Sequence, residues 1–124
     1  MRKLTLLCFL ALACPLAILH AQDFSNKGRD FWLSYSHHVG GAGLSMTLYI
    51  TSDVATTFSV EVGTTTIQNG SLNAGQVISV VIPNTAFVQT EGQFYNRGIH
   101  VTAAKPVVVY SYITRSQASG ATLC

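Results

Sequence analysis

The stretch Gly98–Ile113, reading GIHVTAAKPVVVYSYI, constrains this chain more than any other. It contains two β-rich runs, Gly98–Ala103 and Pro106–Ile113, with a tight link expected at Ala104–Lys105. In the second run both alternating sets are apolar: Val107, Val109 and Ile113 on one side, Val108, Tyr110 and Tyr112 on the other. A strand apolar on both faces belongs in the middle of a packed structure. The first run alternates Ile99, Val101 and Ala103 with His100, Thr102 and Ala104, which suits a one-sided neighbour. The two runs read as the central antiparallel pair of a β domain.

The chain begins with a different kind of segment. Met1-Arg2-Lys3 is a short basic region, Leu4 to Leu12 an apolar run interrupted only by Thr5, and a small residue, Ala21, precedes Gln22. That is the three-part pattern of a secretory signal peptide, with cleavage expected between Ala21 and Gln22. Pro15 inside the apolar stretch and the lack of a basic stop-transfer flank argue against a retained anchor. Ala11-Leu12-Ala13-Cys14 resembles a lipoprotein signal with Cys14 as the acylated residue. No leucine stands three positions before Cys14, and Pro15 follows it directly, which disfavours acylation. Residues 1–21 are therefore read as a signal peptide and residues 22–124 as a single domain, secreted or held at the cell surface, meeting the membrane only through the signal.

Removal of that signal changes the chemistry that remains. Cys8 and Cys14 leave with it, so Cys124 is the last thiol and no disulfide framework can form within the chain. Lys27, Arg29, Arg97, Lys105 and Arg115 then balance Asp23, Asp30, Asp53, Glu61 and Glu91, and the formal charge of +2 belongs to the signal. Without a basic surface, nucleic acid is not an expected partner.

Along the mature chain, Asp30–Tyr35 reads as a first strand with Phe31, Leu33 and Tyr35 on one face and Trp32 on the other. His37 to Gly43 is a Gly-rich connection. Leu44–Thr51 alternates cleanly, with Leu44, Met46, Leu48 and Ile50 inward and Ser45, Thr47, Tyr49 and Thr51 outward. Thr57–Val62 repeats the pattern, Gly63 allows a hairpin into Thr64–Gln68, and Asn69-Gly70 supplies a further turn. Gln76–Ile82 is apolar on both faces and stops at Pro83. Thr85–Arg97 reads as a loop anchored by Phe87, Val88, Phe94 and Tyr95. About seven strands at this spacing, with no amphipathic helix, predict an all-β antiparallel sandwich, immunoglobulin-like or related.

Three motifs carry a resemblance. Gly28-Arg29-Asp30-Phe31-Trp32-Leu33, Leu48–Ser52 followed by Ala55-Thr56-Thr57, and Asn96–Ala103 followed by Lys105-Pro106-Val107 and Val109-Tyr110 stand in the order and spacing of a known family. Over about Gly28 to Thr114 the chain resembles the N-terminal domain family of IgGFc-binding proteins, in its bacterial surface-protein version. The resemblance implies an extracellular adhesion or binding module; it implies Fc binding only by name. The family domain runs on past the point corresponding to Ser116–Thr122, so the domain is expected to be incomplete at its C-terminus, the chain reading as a truncated product or fragment.

Candidate sites weigh as follows. His37, His38 and His100 show no carboxylate or thiolate at ligand spacing, so no metal site is expected. Gly40-Gly41-Ala42-Gly43 lacks the Lys-Ser/Thr ending of a phosphate loop. No serine sits in a nucleophile elbow, so an enzyme is not expected, and neither is a cofactor. Asn69-Gly70-Ser71 matches a glycosylation acceptor, in what reads as a turn. Outward Tyr49, Tyr110 and Tyr112 with Trp32 are the candidates for an aromatic platform that binds a protein or glycan. The expected function is a non-enzymatic extracellular binding module acting through loops and outward strand faces; the alternative is a structural spacer of a larger surface protein.

Overall fold

The computed structural model describes residues 25–36, 44–88, 96–116 and 118–124. The signal region, the Ala21–Gln22 junction, Cys14, His37, His38, the Gly40–Gly43 run, Phe94 and Tyr95 lie outside the described residues. Among the described residues seven strands form: β1 (Gly28–Leu33), β2 (Ser45–Thr51), β3 (Thr56–Val62), β4 (Thr65–Leu72), β5 (Val77–Ile82), β6 (Ile99–Arg115) and β7 (Ala118–Leu123). A single 3₁₀ turn, Asn84–Ala86, follows β5. Every strand pair is antiparallel, and the class is all-β as the alternation predicts. The seven strands belong to one curled sheet.

β6 organises that sheet. Over its first half it lies between β1 and β3, and over its second half between β2 and β7. One half of the sheet therefore runs β4-β3-β6-β1 and the other β7-β6-β2-β5, with β6 common to both. Both halves feed one core, where Met46, Leu48 and Ile50 of β2 meet Val60 of β3 and Val101 and Val109 of β6 without solvent contact. Each such aliphatic side chain contributes roughly 1.5–3 kcal/mol by leaving water.

The Gly98–Ile113 stretch departs from its expected form. No hairpin occurs at Ala104–Lys105: Ile99–Arg115 is a single strand of 17 residues. Ala104 and Lys105 offer neither a glycine nor an Asn-Gly pair, so nothing there favours the positive φ of a tight two-residue turn. Instead the strand bends while exchanging partners, leaving β3 after Ala103 and joining β2 from Val108. Between those points its backbone loses ladder partners, and two buried side chains supply them. Thr56 Oγ1 accepts the Lys105 N–H at 2.8 Å, and Ser52 Oγ donates to the Pro106 carbonyl at 2.8 Å. Pro106 has no N–H to satisfy, so it fits this crossing. Nor is the second run buried on both sides. Val107 and Val109 are buried, Val108 and Tyr112 are half-buried, and Tyr110 is exposed.

One further reading is corrected. Asn69-Gly70 does not turn; both residues continue β4, with Gly70 opposite Phe58, whose ring lies over the glycine. Gln76–Ile82 is apolar on both faces in sequence, but β5 closes one end of the sheet and leaves Val77 and Val81 exposed. Finally, Ala118–Leu123 returns along β6 as β7, although Ala-Ser-Gly-Ala-Thr-Leu carries little β signal of its own. The hairpin at Gly63 forms as expected, and Phe87 anchors its segment by bridging to Tyr35.

Candidate functional site

The outward positions of β2 are Thr47, Tyr49 and Thr51, the polar half of its alternation. Cross-strand pairing extends them in both directions. Tyr49 stands between Ser79 of β5 and Tyr110 of β6, and Tyr110 is followed by Leu123 of β7. The next row runs Val81, Thr47, Tyr112, Ala121, and the third runs Val77, Thr51, Val108. None of these residues is charged. Tyr49, Tyr110, Leu123, Val77 and Val81 are all exposed, so the outer face of this half is an uncharged surface of tyrosine, valine and hydroxyl groups. The rings of Tyr49 and Tyr112 contact each other at 6.4 Å between centroids with a 57° tilt. Tilted pairs of this kind place a ring edge against a neighbouring face and hold both rings in place.

Trp32 belongs elsewhere. It lies on β1 opposite His100, 69% exposed, with its ring stacked on the imidazole at 4.0 Å and 10° between planes. His100 Nε2 in turn lies 3.3 Å from Asp30 Oδ2. His100 and Tyr110 both point outward from β6, but ten residues of strand separate them, about 30 Å along an extended chain. The structure therefore brings Tyr49, Tyr110 and Tyr112 together and leaves Trp32 as a second, separate spot.

The remaining polar groups hold the structure together. Tyr35 is buried, and its hydroxyl donates to the Thr47 carbonyl at 2.8 Å. Burial pushes its phenol up to about 12, with a smaller opposing contribution from a hydrogen bond to the Tyr112 backbone. Lys27 pairs with Asp53 of the β2–β3 connection, and its hydrogen bond and charge hold that carboxyl below its usual range. Among the described residues no group of three or more His, Cys, Asp or Glu could hold a metal ion, and His100 is engaged by Trp32 and Asp30. A hollow of about 210 Å³ opens beside Ser34, Ser36, Ser111 and Thr122. Among the described residues that line it, no base neighbours these hydroxyls. Asn69 is exposed on β4, in a strand. No helix of the described residues is long and apolar enough to cross a membrane.

Comparison with protein-family models, curated proteins and solved structures finds no match to this chain. Sequence reasoning reached the tyrosines of the outer face but missed Val77, Val81 and Leu123. The alternation of Val77, Ser79 and Val81 held the signal; it was obscured because an edge strand apolar on both sides has the same pattern as a central one.

Proposed function

We propose that the chain is an exported, non-enzymatic interaction module that binds a protein or glycan at the cell exterior through the outer face of β5-β2-β6-β7. One observation carries the reading: several exposed apolar and aromatic side chains lie side by side on a face that contains no charge. Soluble monomers rarely leave contiguous apolar area uncovered without a use for it, and tyrosine offers large contact area at low entropic cost. The N-terminal signal pattern and the resemblance to IgGFc-binding protein N-terminal domains support the exterior location. A purely structural spacer is the competing role.

The test is a binding screen of the purified protein against glycan and extracellular-protein arrays, repeated with the Tyr49→Ala/Tyr110→Ala double variant. Loss of a hit by tenfold or more in the variant, with unchanged melting, is the expected result, in line with the dominance of a few aromatic anchors. Hits that survive the double substitution, or a screen without hits on a cooperatively folded protein, would sink the proposal in favour of the spacer.

A further inference from the structure

Four strands are paired on one side only among the described residues: β1, β4, β5 and β7. Two of them, β1 and β4, carry the features that keep an open edge from joining another, and β7 offers mostly small side chains to a partner. β1 has exposed Arg29 and Asp30 and a break in register between Gly28 and Asp30. The β4 ladder is interrupted at Val60/Glu61, and the exposed side chains of β4 are polar. β7 is built from Ala, Ser, Gly and Thr up to Leu123. β5 has none of these features. It reads Val-Ile-Ser-Val-Val-Ile, without charge, proline or a break in register, and Val77 and Val81 are 61% and 69% exposed. Natural sheets guard their edges with charge, proline, bulges or a cover.

We propose that β5 is a self-association strand, pairing antiparallel with β5 of a second copy about a twofold axis through Ser79. A twofold perpendicular to the sheet keeps every side chain on its own face, so residues can meet only partners that point the same way. With Ser79 at the centre, Val77 of each copy faces Val81 of the other on the outer side, and Ile78 faces Val80 on the core side. Centring on Val80 instead would bring Pro83, which has no N–H, against Val77. A twofold also sets each charge near its own like. Neither β5 nor the adjoining outward positions Thr47, Tyr49 and Thr51 carry one, so nothing opposes the pairing. A second copy satisfies the open edge with main-chain hydrogen bonds and removes two pairs of exposed valines from water. The seam is one strand long, below the ~800 Å² per partner of a standard interface, so the dimer dissociates reversibly. This inference is independent of which ligand the outer face binds.

Sedimentation of the purified full chain over a concentration series from about 1 μM to about 1 mM, a span suited to a small interface, should show a monomer–dimer equilibrium. Val81→Lys should leave the melting temperature unchanged, because the side chain is exposed, and should shift the protein to monomer across the series. Ser79→Cys in a background with Cys8, Cys14 and Cys124 all changed to serine should form a reducible dimer on mild oxidation, since directly opposed residues sit within disulfide reach. Thr66→Cys on the β4 edge, in the same background, should not. A monomer at every concentration without Ser79→Cys cross-linking overturns the proposal. So does equal cross-linking at both cysteines, or a Val81→Lys protein that dimerises like the parent.

Discussion

Gly63 and Gly75 both have positive φ, at 60° and 73°, yet they differ in what surrounds them. A Cβ on Gly63 would meet the Asn96 carbonyl oxygen at 2.7 Å and its Cα at 2.8 Å; one on Gly75 would meet nothing within 4 Å. Gly75→Ala should therefore cost only the left-handed strain, about 1–2 kcal/mol. Gly63→Ala must also displace backbone that Gly63 itself holds through its N–H to the Gly98 carbonyl at 2.9 Å, and should lose clearly more. Urea melts of the two variants compare them directly, and equal losses would contradict the packing at Gly63. Tyr35 gives a pH prediction. Its phenol rises from an ordinary 10 to about 12 because it is buried, so the folded protein holds a proton that the unfolded chain releases. That contribution is fully present below pH 10 and is lost as pH rises through 12, by roughly 2–3 kcal/mol for such a shift. Wild-type stability should fall across this window, while Tyr35→Phe, less stable at neutral pH for want of the bond to Thr47, should show a shallower decline.

Strands β2 and β3 were legible because their alternation is complete: Met46, Leu48 and Ile50, then Phe58, Val60 and Val62, are buried as read. β6 was misread because periodicity reports faces, not partners. The same Val107–Tyr112 pattern fits a strand sandwiched between layers and one whose outer side is an exposed tyrosine face. The bend at Ala104–Pro106 depends on Ser52 and Thr56, some fifty residues earlier, and no local pattern encodes that. The candidate site was half legible for the same reason: Tyr49, Tyr110 and Tyr112 could be seen as outward, but only register shows that Trp32 is not beside them. Val109→Asp should prevent stable folding by burying an unpaired charge, whereas Val108→Asp, half-exposed on the outer face, should be far milder; melting temperatures of the pair decide this. Ser52→Ala and Thr56→Val should each cost about 0.5–1.5 kcal/mol by removing a part-buried hydrogen bond to the β6 backbone. Because they pin one short crossing, the double variant should lose less than the sum, measurable as a double-mutant cycle.

The molecule as a whole has one core and no independent halves. Phe58, Val60 and Val62 reach that core from one half and Met46, Leu48 and Ile50 from the other, and both sets pack on β6. Hydrogen exchange should therefore return a common opening free energy for the amides of β3 and β2. Two separated values would show that the halves open on their own.

The shared strand also sets a timetable. Phe31 finds its partner Val101, and Ser45 its partner Thr114, only when β6 has been made, some seventy residues later. Before that the β3–β4 hairpin can close, but no layer can complete around it, and such distant pairings are slow to form. During synthesis the two halves of the sheet therefore stay unjoined, and most of the polypeptide pliable, until β6 has emerged to receive them.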